Sequence, residues 1–176
     1  KDVKGYEQHL DEAKKLAQRS GLPGKTLKLH YNTDRSYMEA TALLIQEQLK
    51  AIDVNVDIQG IDANGFFDVV FTDKDDYELY LNEYAAIGDP GEVVAGMFDG
   101  TWGNNIDTPQ EILDLFEQGR KTTDVEKRTE IYKELQEKAM ESYLTYPIAY
   151  PNYCFATSDN LEGAETYSTT PVFEDY

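Results

Sequence analysis

Thr26 to Ile61 reads TLKLHYNTDRSYMEATALLIQEQLKAIDVNVDIQGI. Its first six residues alternate, with Leu27 and Leu29 set against Lys28 and His30, and predict a strand. From Asp34 to Ile52 the apolar period changes. Met38, Ala42, Ile45 and Leu49 fall on one stripe of a helix. Alternation returns from Val54, which predicts a second strand. A strand, a helix and a strand with short joints make a right-handed βαβ unit whose strands run parallel. The fold class implied is α/β, with helices covering a sheet on both faces in a three-layer lobe.

The flanks extend this pattern. His9–Gly21 (HLDEAKKLAQRSG) sets Leu10, Ala13, Leu16 and Ala17 on one helical face, with Gly21 as its C′ residue. Asp62–Asp76 predicts a short helix and a turn, and Tyr77–Tyr84 (YELYLNEY) a third strand. Asp89–Phe98 opens a short helix with Pro90 in its first turn, and Asp99–Asp107 is a Gly- and Asn-rich loop. Thr108, Pro109 and Glu111 have the spacing of a capping box, and Thr123 or Asp124 caps a last helix carrying Ile131, Leu135 and Met140. Pro147 and Pro151 suit an edge strand, after which the tail shows little regular pattern.

At 176 residues the chain implies a single domain, residues 1–176, able to bury roughly 70% of its unfolded surface. The 34 acidic and 16 basic residues leave a net charge of −18. No basic stripe exists to replace phosphate counterions, so a nucleic-acid partner is excluded, and docking on anionic lipid is disfavoured. No apolar run approaches the ~20 residues of a membrane span. The chain starts at Lys1 rather than Met and reads as a mature product or an excised piece. Cys154, the one cysteine, cannot form an intramolecular disulfide.

Signals for chemistry are sparse. The acids of Thr72–Asp76 (TDKDD) lack the spacing of a calcium loop and read as a solvated turn. His9 and His30 lie far apart, and no nucleophile, phosphate-loop or zinc motif is present. No pair among the 34 acids stands out as an acid–base couple. Neither a cofactor nor a metal is implied. Tyr146, Ile148 and Tyr150 at period two read as sheet packing, or alternatively as an aromatic wall. Trp102, the single tryptophan, sits with Asn104 in a loop and suits either ligand stacking or plugging of that loop. Glu83–Glu92 (EYAAIGDPGE) runs from a strand end through small residues into a helix, which fits a tight turn or a ligand wall.

The order of these pieces resembles one family. Asp11–Gly21 resembles a "DxxKAKxLLxxAG" helix, and Leu27–Gln59 a "LxLxYNTD…AxxIQxQLKxIGIxVxLQ" unit. Tyr84–Pro90 resembles a strand ending in "DYxDP", and Thr108–Ala156 a "TDxxxRxxxYxxxQ…PLYYPNYxxA" segment. Together they resemble the second, C-terminal lobe of the family 5 extracytoplasmic solute-binding proteins of ABC transporters, the oligopeptide, dipeptide and nickel type. The resemblance implies a mixed sheet in a periplasmic-binding-protein lobe of type II. It implies a clamshell that closes on a peptide or other small solute, with the first lobe of the same protein and an ABC permease as partners. The implied place is extracytoplasmic, as a cell-surface lipoprotein or in the periplasm. Peptide receptors of this type carry an anchoring Asp in an "A-D-Y" run, and counting back from Pro90 that position falls on Ala86. Ala cannot pair with an ammonium, so either Glu83 or Asp89 supplies a carboxylate from a different angle or the ligand is not a free-amine peptide. The ligand-binding set implied is Glu83, Tyr84, Ala86, Asp89, Trp102 and Asn104. Asp89 is better suited to cap the helix that follows, since Asp before Pro is a good N-cap. Alternatives are an oligosaccharide or metal-chelate receptor, a peptide-pheromone receptor, and a carboxylate-based enzyme.

Overall fold

The βαβ unit forms as its periodicity dictates. β1 (Thr26–Asn32), α2 (Ser36–Lys50) and β2 (Asn55–Ile61) follow α1 (Leu10–Ser20) in the chain. Next come α3 (Ala63–Phe67), a π-helical turn (Asp68–Thr72) and β3 (Leu79–Leu81). α4 (Val93–Phe98), α5 (Gln110–Lys121) and α6 (Val125–Glu141) complete the order. The computed structural model describes residues 7–72, 77–84, 89, 91, 93–101 and 106–149. Length alone implies one domain; the chain divides into two compact units, Lys1–Leu144 and Thr145–Tyr176.

The sheet order is β2-β1-β3, and both described pairings are parallel. The antiparallel member that a mixed sheet requires is not found among the described residues. Register places Leu27, Leu29 and Tyr31 beside Val56, Ile58 and Gly60, with Leu79 and Leu81 on the other side of β1. This face packs on the α2 stripe: Met38, Ala42, Ile45 and Leu49 join Leu29, Tyr31 and Val56 in one apolar cluster. Gly60 is required here, because a Cβ would stand 2.7 Å from the Tyr31 hydroxyl. The opposite face carries His30 and Tyr80, and Phe66 of α3 meets Tyr80 edge-on with ring centroids 6.2 Å apart. Helices therefore cover both faces, giving the three layers expected.

A second cluster is entirely helical. Ala95 and Phe98 of α4, Ile112, Leu115 and Phe116 of α5, and Ile131, Leu135 and Ala139 of α6 bury together. Asp124 caps α6, accepting from the Lys127 amide at 2.9 Å. The capping box on α5 does not form. Pro109 stands at the cap, the Thr108 hydroxyl is buried with no hydrogen-bond partner, and Glu111 instead pairs with Lys138 of α6 at 3.3 Å. Gly21 closes α1 in the left-handed region at φ 74°. Of the apolar face of α1, only Ala17 is buried, and Leu16 remains 53% exposed. Tyr146 and Ile148, which the alternation assigns to sheet packing, are both 54% exposed; Tyr150 lies outside the described residues.

Candidate functional site

In open parallel α/β sheets, ligands bind outside the carboxyl ends of the strands. Here that edge gathers the turn after β1, the N-cap of α3 and the exit of β3. The Asn32 side chain accepts from the Asp34 amide at 2.9 Å, and the Thr33 hydroxyl donates to the Ile61 carbonyl at 3.2 Å, joining the ends of β1 and β2. Asp62 caps α3 by accepting from the Gly65 amide at 2.9 Å. Across this edge the Arg35 guanidinium reaches Glu83, with Nε 2.5 Å from Oε1. The Tyr37 hydroxyl donates to the other Glu83 oxygen, and the Glu83 amide donates to the Asn82 side chain at 2.9 Å.

Arg35, Tyr37 and Glu83 thus form one polar group on the carboxyl edge, all of it open to solvent. Such an exposed pair contributes only about 0–1 kcal/mol to folding. It exchanges partners at small cost. The carboxylate can turn to a ligand ammonium and the guanidinium to a ligand carboxylate. Arg35 and Tyr37 were not among the residues that sequence reasoning marked. Their signal is their position: they open the helix of a βαβ unit, where the strand-end rule places ligand contacts. Partial burial pushes the neighbouring Tyr84 hydroxyl up, against hydrogen bonds with Asn82 and Tyr80 that act the other way.

Asp89 belongs to a different network. Its carboxylate accepts from Arg128 of α6 at 2.7 and 2.8 Å and from the Gly91 amide at 2.7 Å. The Arg128 hydrogen bond, then the Gly91 amide, hold Asp89 below the usual carboxylate range, and the same bond raises Arg128. The Arg128 guanidinium also lies 5.1 Å from the Tyr132 ring centroid and donates to the Gly119 carbonyl at 3.0 Å. An open cleft of about 490 Å³ lies over this network, lined by Asp89, Asp99, Arg120 and Arg128 among others. Ala86, Trp102 and Asn104 lie outside the described residues. So do residues 73–76 of the acidic run. Among the described residues, no cluster of His, Cys, Asp and Glu could hold a metal ion, and no helix is long and apolar enough to cross a membrane.

Residues 1–105 match the family model described as bacterial extracellular solute-binding proteins, family 5 Middle. The chain belongs to this family. Among its family 5 relatives is the oligopeptide-binding protein OppA of Bacillus subtilis, 26% identical over 182 residues that take in 98% of this chain and 32% of that protein. The ABC transporter substrate-binding protein CtaP of Listeria monocytogenes superposes with a TM-score of 0.75 at 29% identity, over 85% of this chain and 31% of its own. AppA of Clostridium difficile gives 0.73 at 32% identity, over 79% and 29%. The family 5 chain described here therefore spans about a third of the length of these relatives. The family resemblance and the α/β periplasmic-binding-protein fold that the order of motifs implied are both borne out.

Proposed function

We propose that this chain is the C-terminal lobe of a two-lobed ABC-transporter substrate-binding protein that captures peptides outside the cytoplasm and presents them to a permease. The observation that carries the reading is the Arg35–Glu83 pair on the carboxyl edge of the parallel sheet, in a chain of this family. It offers a carboxylate and a guanidinium side by side, and a peptide with free termini carries the complementary ammonium and carboxylate. Glu83 then supplies the carboxylate that Ala86 lacks, with Tyr84, Trp102 and Asn104 as the remaining wall and Asp89 holding its frame. Capture is reversible and works by closure of the lobes, with no bond made or broken. The protein acts as a cell-surface lipoprotein or in the periplasm.

Calorimetry on the full-length protein tests this. A random pool of free-amine tri- to hexapeptides is expected to bind in the micromolar range or tighter, and oligosaccharides and metal–histidine chelates not to bind. Heat from either of the latter without any from peptides would overturn the peptide reading.

A further inference from the structure

The charged pair on the carboxyl edge is compact, and its compactness restricts what can match it. Arg35 stands at the cap of α2, Tyr37 lies in the first turn of that helix, and Glu83 follows the end of β3. Arg35 Nε is 2.5 Å from Glu83 Oε1, and the Tyr37 hydroxyl donates to Oε2. The two oxygens of one carboxylate are thus held by two different donors. The described stretches that leave the three strand ends, residues 33–37, 62–65 and 82–84, hold one cation, Arg35. Of the acids in these stretches, Asp34, Asp62 and Glu83, only Glu83 is in salt-bridge reach of it. Asp62 is committed to the cap of α3.

We propose that this pair selects peptides whose first residue is acidic. The inference rests on the peptide-receptor reading above and names which peptides the site takes. An ammonium that approaches Glu83 competes with Arg35 for Oε1. The Tyr37 hydroxyl keeps Oε2, and with it the orientation of the carboxylate. The guanidinium then loses its anion. Where a closing cleft expels water, a charge left without a partner is costly. The ligand supplies the missing anion if it carries a carboxylate close to its own ammonium. Its C-terminal carboxylate serves only in the shortest ligands. An extended chain gains about 3.3–3.6 Å per residue, which puts the terminal charges of a tetrapeptide roughly 10 Å apart. A glutamate at the first residue meets the requirement, because its side-chain carboxylate and the α-ammonium belong to one residue. Arginine suits the exchange, since its planar fork offers that carboxylate two parallel donors.

The test measures calorimetric affinities of the full-length protein for four free-amine tetrapeptides: Glu-Ala-Ala-Ala, Gln-Ala-Ala-Ala, Ala-Ala-Ala-Glu and Ala-Ala-Ala-Gln. Glu and Gln differ in charge at nearly constant shape. The Glu-first peptide is expected to bind at least about five-fold tighter than the Gln-first one, and the last two to bind within about two-fold of each other. In Arg35→Gln the first ratio is expected to fall to within about two-fold of unity. Equal binding of the Glu-first and Gln-first peptides by wild type would overturn the inference and leave the peptide reading standing. An equal preference at the fourth residue would overturn it too, since it would report the general field of the protein rather than contact with Arg35. So would a first-residue preference that survives Arg35→Gln. If the tri- to hexapeptide pool bound and none of the four did, the inference would fall alone. If the pool did not bind either, the peptide reading would fall with it. Should Arg35→Gln lose its cooperative melt, Arg35→Met takes its place with the same expectation.

Discussion

The Asp89 carboxylate and the Arg128 guanidinium of α6, thirty-nine residues apart in the chain, meet at 2.7 and 2.8 Å. The pair decides what Asp89 does. A residue suited by sequence to cap a helix, or to meet an ammonium, ties the segment after β3 to α6. Because Arg128 and the Gly91 amide hold its folded pKa down, the pair contributes stability above the unfolded carboxylate pKa of about 3.9. That stability is lost as pH falls through the lower folded value. Asp89→Asn is accordingly expected to melt below wild type at pH 7, with the gap closing toward pH 3. Thermal melts across that range check it, and a gap constant with pH would show that the charge is not what matters.

Tyr132 lies between two glycines. A Cβ on Gly119 would stand 2.7 Å from its ring carbon and 2.8 Å from its hydroxyl. Alanine is normally about 1 kcal/mol better than glycine inside a helix, but the overlap costs about 1–3 kcal/mol. Gly119→Ala is expected to lower stability by up to about 2 kcal/mol in urea unfolding, and Gly119→Ala with Tyr132→Leu to lose less than the sum of the single changes.

Burial separates two leucines that composition cannot. Leu29 is 1% exposed at the centre of the sheet, whereas Leu44 is 64% exposed on α2. Leu29→Ala is expected to cost about 2–5 kcal/mol and Leu44→Ala less than about 0.5 kcal/mol, read from urea midpoints at constant slope. Similar losses at the two positions would contradict the face assigned to α2.

Local signals were legible, and distant ones were not. The alternation of β1 and β2, the α2 stripe and the Gly21 cap depend on neighbours a few residues away, and each formed as read. The third strand, eight residues by pattern, pairs over only Leu79–Leu81. Pairing is set by the partner β1, which the pattern of one strand does not contain. Likewise Glu111 has the spacing of a capping residue yet goes to Lys138, because α6 brings a cation within 3.3 Å. In the candidate site, Glu83 was visible as a carboxylate at a strand end. Its partners Arg35 and Tyr37 were not, since they sit forty-six or more residues away along the chain and meet it only across the sheet edge.

Glu83 also gives a prediction on ligand charge. If its carboxylate meets the ammonium, Glu83→Gln in the full-length protein reduces the preference for a free-amine peptide over its N-acetylated form. A charged hydrogen bond of about 1–3 kcal/mol corresponds to roughly 5- to 150-fold. Ala86→Asp, which puts a carboxylate at the position the family resemblance marks, is expected to raise the preference by a similar factor. Paired calorimetric titrations measure both. A strong wild-type preference that survives Glu83→Gln would place the anchor elsewhere.

The most direct measurement is mass spectrometry of what the full-length protein carries when it is isolated without refolding and then unfolded to release its ligand. The account predicts a mixture of short peptides with free amino termini, absent from a parallel preparation that was unfolded, washed and refolded, and restored when that preparation is given the peptide pool. A preparation that releases a sugar or a metal chelate, and that takes up no peptide after refolding, would contradict it.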